Sequence, residues 1–115
     1  MKTSFTPLPQ DDPFLQKIRT IIEERLHDDI CIEDLSKLVY YSRTQVFRKI
    51  KNLTGLSPSR FIRTLRLQKS LELLLTTDFK VSEIATGVGF SDPKYFFRVF
   101  RMEFGKAPSS IRHGM

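Results

Sequence analysis

Two sets of basic and aromatic side chains recur about fifty residues apart, at a spacing that suits the reading of a polyanion. In the first, Arg43, Thr44, Phe47, Arg48 and Lys51 fall on one side of a stretch whose other side carries Val46, Ile50 and Leu53. In the second, Lys94, Phe97, Arg98 and Arg101 face away from Phe96, Val99 and Phe100. With 3.6 residues per turn, each pattern separates an apolar stripe from a basic face. Arginine and lysine are the side chains that pair with guanine edges in a DNA major groove, which admits one helix. A phenylalanine stands at the same place on both faces, Phe47 and Phe97. Its use is open at this level between apolar contact with thymine methyls or sugars and packing against a neighbouring helix.

The elements that must carry these faces form a repeat. Residues 35–63 read LSKLVYYSRTQVFRKIKNLTGLSPSRFIR and residues 84–112 read IATGVGFSDPKYFFRVFRMEFGKAPSSIR. Leu35, Val39 and Tyr41 match Ile84, Val88 and Phe90 at an offset of 49, and Phe47, Arg48, Ile50, Gly55 and Pro58 match Phe97, Arg98, Phe100, Gly105 and Pro108 at an offset of 50. The slip of one residue falls where a tight turn is expected. Each copy reads as a short helix, a turn and a longer basic helix, which is the order of a helix-turn-helix whose second helix must protrude.

Charge follows the same division. Residues 1–41 hold five Lys/Arg and eight Asp/Glu, whereas residues 42–115 hold fourteen and five. Between Ser42 and Lys69 there are eight basic residues and no acidic one, within a net charge of +6. Alone this describes a solvated basic face; joined to the repeat it points to a polyanionic partner. At 115 residues the chain is one domain or two small subdomains sharing a core. It shows no apolar run of membrane-spanning length and no signal peptide, so no membrane contact is expected from this segment. The single Cys31 fits a reducing cytoplasm. One thiol and two histidines, His27 and His113, make no metal cluster, and no cofactor is expected. No paired carboxylates, Ser/His/Asp set or phosphate-binding loop is present, so the chain does not read as an enzyme. RNA is disfavoured as a partner, because single-strand readers stack bases on sheets or aromatic platforms. The remaining alternative to duplex DNA is a helical protein-interaction module that docks an acidic partner.

Punctuation residues delimit the helices. Residues 1–11 carry two prolines without apolar period and read as a linker or tail. Asp12-Pro13 starts a helix with Phe14, Ile18, Ile21, Ile22 and Leu26 inward, ended by Asp28-Asp29. A short helix from Ile32 to Val39 should bury Leu35, Leu38 and Val39, behind Cys31 at the cap position. Ser42 and Gln45 form a capping box for the next helix, closed by Gly55. Ser57-Pro58 opens a long helix to about Leu75, apolar on several sides through Phe61, Ile62, Leu65, Leu67, Leu71, Leu73, Leu74 and Leu75, and therefore buried from several sides. Val81–Gly87 forms a second short helix with Gly89 at the turn. Asp92-Pro93 starts another, Gly105 ends it, and Pro108 begins a last turn.

These residues resemble the DNA-binding domain of AraC/XylS-type transcription regulators. The second copy carries most of the likeness, in Ile84-Ala85, Val88-Gly89-Phe90, Asp92, Tyr95-Phe96, Arg98, Phe100, Gly105, Pro108 and Arg112. The first adds Gly55-Leu56-Ser57-Pro58, Phe61-Ile62 and Arg66-Leu67, so the likeness covers about residues 14–112. It implies an all-α fold of seven helices, two helix-turn-helix subdomains (12–56 and 77–115) joined by a long central helix (57–76). It also implies that helices at about 43–54 and 93–104 enter successive major grooves. Arg43, Thr44, Phe47 and Arg48, with Pro93, Lys94, Phe97 and Arg98, are the positions it marks. RNA polymerase, and a sensor or receiver domain in a longer chain of the response-regulator or hybrid-sensor kind, are the further partners it brings into view. About eighteen residues of central helix at ~1.5 Å each give ~27 Å, which with its flanking units is near the ~34 Å between groove entries on one DNA face. Two unequal, direct-repeat-like half-sites are therefore expected. The sequence departs from the family pattern at Ala107, which replaces Ser or Thr, and at Cys31 and Lys80, which are poor caps. Tyr40 stands where the family has glycine and matches Gly89 in the second copy, so a positive φ or a distorted turn is predicted there.

Overall fold

The computed structural model describes residues 12–114, and among them the chain forms seven helices and no strand. These are α1 (Pro13–Glu23), α2 (Ile32–Val39), α3 (Arg43–Thr54), α4 (Pro58–Thr76), α5 (Val81–Gly87), α6 (Pro93–Phe104) and α7 (Pro108–Gly114). The segment read as a linker, 1–11, lies outside the described residues. The chain divides into two units, with the boundary inside α4 between Leu65 and Arg66.

In the N-terminal unit the apolar stripes of α1, α2, α3 and the first turns of α4 meet. Leu15, Ile18 and Ile22 of α1, Leu35 of α2, Val46 and Ile50 of α3 and Phe61 of α4 are completely buried. Each such side chain contributes roughly 1.5–3 kcal/mol of transfer free energy. In the C-terminal unit Leu67 and Leu74 of α4 join Ile84, Ala85, Val88, Phe90, Phe96, Val99 and Phe100. Aromatic rings form a tilted series there: Phe90 to Phe96 at 5.1 Å, Phe96 to Phe100 at 5.5 Å and Phe100 to Phe104 at 4.6 Å between centroids. Thus α4 supplies side chains to both cores, as its all-round apolar pattern predicts. Its buried Ser70 donates to the Leu67 carbonyl at 2.7 Å, so no polar group is stranded at that point.

The caps follow the sequence. Asp12 accepts from the Leu15 N–H at 3.0 Å, and Ser42 and Gln45 bond reciprocally at 3.1 and 2.9 Å. Where the cap residue is weak, the residue three on compensates: Asp34 accepts from the Cys31 N–H at 3.0 Å, and Glu83 from the Lys80 N–H at 2.9 Å. These carboxylates also sit at the positive ends of their helices. Among the described residues Gly55, Gly89 and Gly105 have positive φ, and Tyr40 is the non-glycine residue that shares it, at φ 62° and ψ 33°. The expectation for Tyr40 is met.

Several boundaries and faces differ from the sequence reading. Helix α1 ends at Glu23, not at Asp28-Asp29. The bonds of Arg25 to Ile22 and of Asp28 to Arg25 span three residues, so the chain continues in turns while Leu26 remains buried. The apolar period thus outlasts the helix. Leu15 is fully buried, whereas Phe14 and Ile21 pack only at the edge of the core. Leu38, expected inward, is exposed, and so is Leu75. Leu53 is partly buried. The last turn expected from Pro108 is helix α7, held by Arg112. Its guanidinium donates to the carbonyls of Leu74 at 3.1 Å, Thr77 at 2.8 Å and Leu73 at 3.5 Å, and to that of Phe79. A cation thus meets carbonyls of the last turn of α4 and of the segment after it, at the negative end of the helix.

Candidate nucleic-acid interface

Helix α3 is anchored by Val46 and Ile50, and this burial fixes what it shows to solvent. Arg43, Thr44, Phe47, Arg48 and Lys51 are all exposed, as the sequence predicts. With Ile32 of α2 and Asn52 they line an open groove of about 1010 Å³. The capping box holds the N-terminal turn of α3, and Gly55 stops it, so this face has a rigid frame. Lys51 has a second tie, because its ammonium donates to the Gly55 carbonyl at 3.0 Å and closes the end of the helix.

Helix α6 repeats the arrangement on Phe96, Val99 and Phe100. Pro93, Lys94, Phe97, Arg98 and Arg101 are exposed. Asp92 accepts from the Lys94 N–H at 3.0 Å, and Pro93 occupies the first helical position without losing a bond. The Arg98 guanidinium lies 5.3 Å from the Tyr95 ring centre, a cation–π contact that restrains its long side chain. Phe97, Arg98, Arg101, Met102 and Gly105 line a shallower hollow of about 500 Å³.

The two matching phenylalanines are both half-exposed. Phe47 is 46% exposed and Phe97 44%, and the Phe97 ring leans on Phe96 at 5.9 Å. One edge of Phe97 therefore packs, while enough of each ring is exposed to meet a ligand. Asn52, Ile32, Tyr95 and Met102 join these faces although the sequence reading assigned none of them to a DNA-reading face. Asn52 lies four residues past Arg48, so helical spacing alone was enough to find it. Ile32 belongs to α2 and carries no local signal.

Around α2 the charges are coupled. Glu33 lies 3.4 Å from Arg43, the pair being exposed. The Cys31 thiol, the backbone N–H of Glu33 and then Arg43 hold the Glu33 carboxyl below the usual range. The backbone and then the thiol of Cys31 do the same for Asp34. For the Cys31 thiol itself the largest single influence, the Asp34 N–H, lowers the pKa, but the carboxylates of Glu33 and Asp34 outweigh it and raise the result. Such a thiol is a weak nucleophile. Among the described residues no group of His, Cys, Asp and Glu is arranged to hold a metal ion, and no helix is long and apolar enough to cross a membrane.

The profile of the family described as "Helix-turn-helix domain" matches residues 35–114. The transcriptional activator RhaS of Salmonella schwarzengrund is 36% identical over 104 residues, which cover 90% of this chain and 37% of RhaS. The chain thus spans little more than a third of the curated relatives it matches. Among solved structures, the DNA-binding domain of the global transcriptional factor AdpA, in complex with a target DNA, is 31% identical with a TM-score of 0.76. That match covers 89% of this chain and 91% of that one. A probable AraC family transcriptional regulator from Rhodopseudomonas palustris is 30% identical, covers 88% and 95% of the two chains and has a TM-score of 0.74. The C-terminal domain of the two-component response regulator yesN from Fusobacterium nucleatum is 30% identical, covers 89% and 100% and has a TM-score of 0.75. None of these relatives supports the alternative of a module that docks an acidic protein.

Proposed function

This chain belongs to the AraC-type helix-turn-helix family, and we propose that it is the sequence-specific, double-stranded DNA-binding domain of a bacterial transcription regulator. Helices α3 and α6 read two half-sites in successive major grooves of one duplex. The observation that carries this reading is the duplicated outward face: Arg48 with Phe47, and Arg98 with Phe97, exposed at matching positions of two helices whose other sides are core. Arg43, Thr44, Phe47 and Arg48 read the first half-site, and Pro93, Lys94, Phe97 and Arg98 the second. Lys51 and Arg101, further along their helices, contact phosphates, which position without specifying.

The two faces are unequal. The first begins with Arg43-Thr44 and the second with Pro93-Lys94, so the half-sites resemble a direct repeat without being identical. The domain works in the cytoplasm, as part of a longer chain with a sensor or receiver domain; the likeness to a response-regulator domain and the partial coverage of RhaS support this. RNA polymerase is its proposed protein partner. Selection from a random duplex library, followed by titration across salt concentrations, tests the function. A recovered two-part consensus bound with a steep negative salt slope is expected. Recovery of no consensus, with equal affinity for all duplexes, would refute it.

A further inference from the structure

A carboxylate reaches the basic face of α3. Glu33, in the first turn of α2, places an oxygen 3.4 Å from the guanidinium of Arg43, the first residue of α3. Both side chains are largely exposed, at 49% and 66%, so the pair adds little to the stability of the fold. Next to a polyanion this carboxylate is unfavourable for every phosphate that approaches. The second copy does without it: the positions matching Glu33 and Arg43 are Ser82 and Pro93. The pair is thus a feature of one reading face, in a groove that Arg43 lines with Thr44, Phe47 and Arg48.

We propose that Glu33 is a specificity-determining residue, which holds the Arg43 guanidinium toward a guanine edge of the first half-site and away from the phosphates. The proposal rests on the reading of α3 as a DNA-reading helix. A guanidinium has five N–H donors in a fixed fork. With one edge turned to Glu33, it retains a second edge for O6 and N7 of guanine. Without the carboxylate, the same flexible side chain is free to turn to the backbone, where it binds any sequence. The charge acts a second time by repelling phosphates in mismatched complexes, where no base contact offsets it. Specificity then arises from a weakened wrong mode as well as a supported right one.

Glu33→Gln, Glu33→Asp and Arg43→Ala, with the Glu33→Gln/Arg43→Ala double variant, test this against the duplex that the wild-type domain selects, its single-base variants and a scrambled duplex. Thermal melts of each variant check that the fold is retained. Glu33→Gln should lose discrimination at one base pair of the first half-site by about fivefold or more, the low end for a lost arginine–guanine contact. It should bind the scrambled duplex at least as well as wild type. Glu33→Asp, too short to keep the contact but still charged, should lose the same discrimination without gaining on the scrambled duplex. Once Arg43 is alanine, Glu33→Gln should change no base discrimination at that pair, and the second half-site should be read normally. Unchanged discrimination, an equal gain on all duplexes, or a loss of discrimination from Glu33→Gln that persists in the Arg43→Ala background would each overturn the proposal. A wild-type domain that selects no duplex would refute the DNA-reading function itself, and this inference with it.

Discussion

Replacing Tyr40 with glycine should stabilise the N-terminal unit. Tyr40 sits at the end of α2 with φ 62° and ψ 33°, the left-handed region that glycine enters without steric cost. For a residue with a Cβ that conformation costs roughly 1–2 kcal/mol. The ring offers little in return, because Tyr40 is 88% exposed. About a tenth of a ~200 Å² aromatic surface, at ~25 cal/mol per Å², amounts to ~0.5 kcal/mol. The greater freedom of glycine in the unfolded chain offsets a few tenths more. The expected net gain is therefore about 0.2–1.2 kcal/mol, or up to several degrees in melting temperature at ~4–8 °C per kcal/mol. Tyr40→Ala is the control: it removes the ring and keeps the strain, so it should gain nothing, and Tyr40→Asn should lie between. Urea unfolding with an unchanged m value reads these differences directly. If Tyr40→Gly is no more stable than Tyr40→Ala, the strain is not stored at this turn and the reasoning fails.

Arg112→Ala should cost roughly 2–3 kcal/mol, the scale of charge-assisted bonds lost from partly buried carbonyls, and Arg112→Lys should recover less than half, since a compact ammonium cannot span the end of α4. A loss under about 0.5 kcal/mol in urea unfolding would remove Arg112 from that role. Alkylation of Cys31 by iodoacetamide should rise with pH at a higher midpoint in the folded domain than in the urea-unfolded chain, because Glu33 and Asp34 disfavour the thiolate, and Asp34→Asn should lower that midpoint. A folded midpoint at or below the unfolded one would contradict the charge coupling around α2. Lys51→Ala should weaken binding to all duplexes alike and lower stability by a few tenths of a kcal/mol, since its ammonium also closes α3. A loss confined to one sequence would make Lys51 a base contact.

What could be read from the sequence was what local chemistry determines. Ser42 with Gln45, Asp12 and Asp92 before proline, and Gly55 and Gly105 specify helix ends through bonds within a few residues, and those ends are where the structure has them. The repeat located Tyr40 as the strained counterpart of Gly89. The end of α1 was missed because no glycine or proline marks it and Leu26 keeps the apolar period through turns that are no longer helical. Leu38 and Leu75 were placed inward because Leu38 adjoins Val39 in the short α2 and Leu75 follows Leu73 and Leu74 at the end of α4, and a run of apolar neighbours does not say which of them the surrounding elements cover. On the reading faces, the exposed basic residues were legible from spacing within one helix. The Glu33–Arg43 pair and the Arg112 bonds to the end of α4 were not, since the first joins two helices and the second spans 38 residues of chain at Leu74.

The central claim is that two different helices each read bases. Its most direct measurement is the binding of wild type, Arg48→Ala and Arg98→Ala to the selected duplex, to versions with either half-site scrambled and to a fully scrambled duplex, each at several salt concentrations, with Arg101→Ala as the phosphate control. The account predicts that Arg48→Ala and Arg98→Ala each weaken the selected duplex by roughly 1–3 kcal/mol and relax specificity in one half-site, a different one for each. Arg101→Ala should weaken every duplex alike and reduce the salt slope by about one. Equal losses on selected and scrambled duplexes for both Arg48→Ala and Arg98→Ala would contradict it, and would leave these arginines as contacts to the backbone alone.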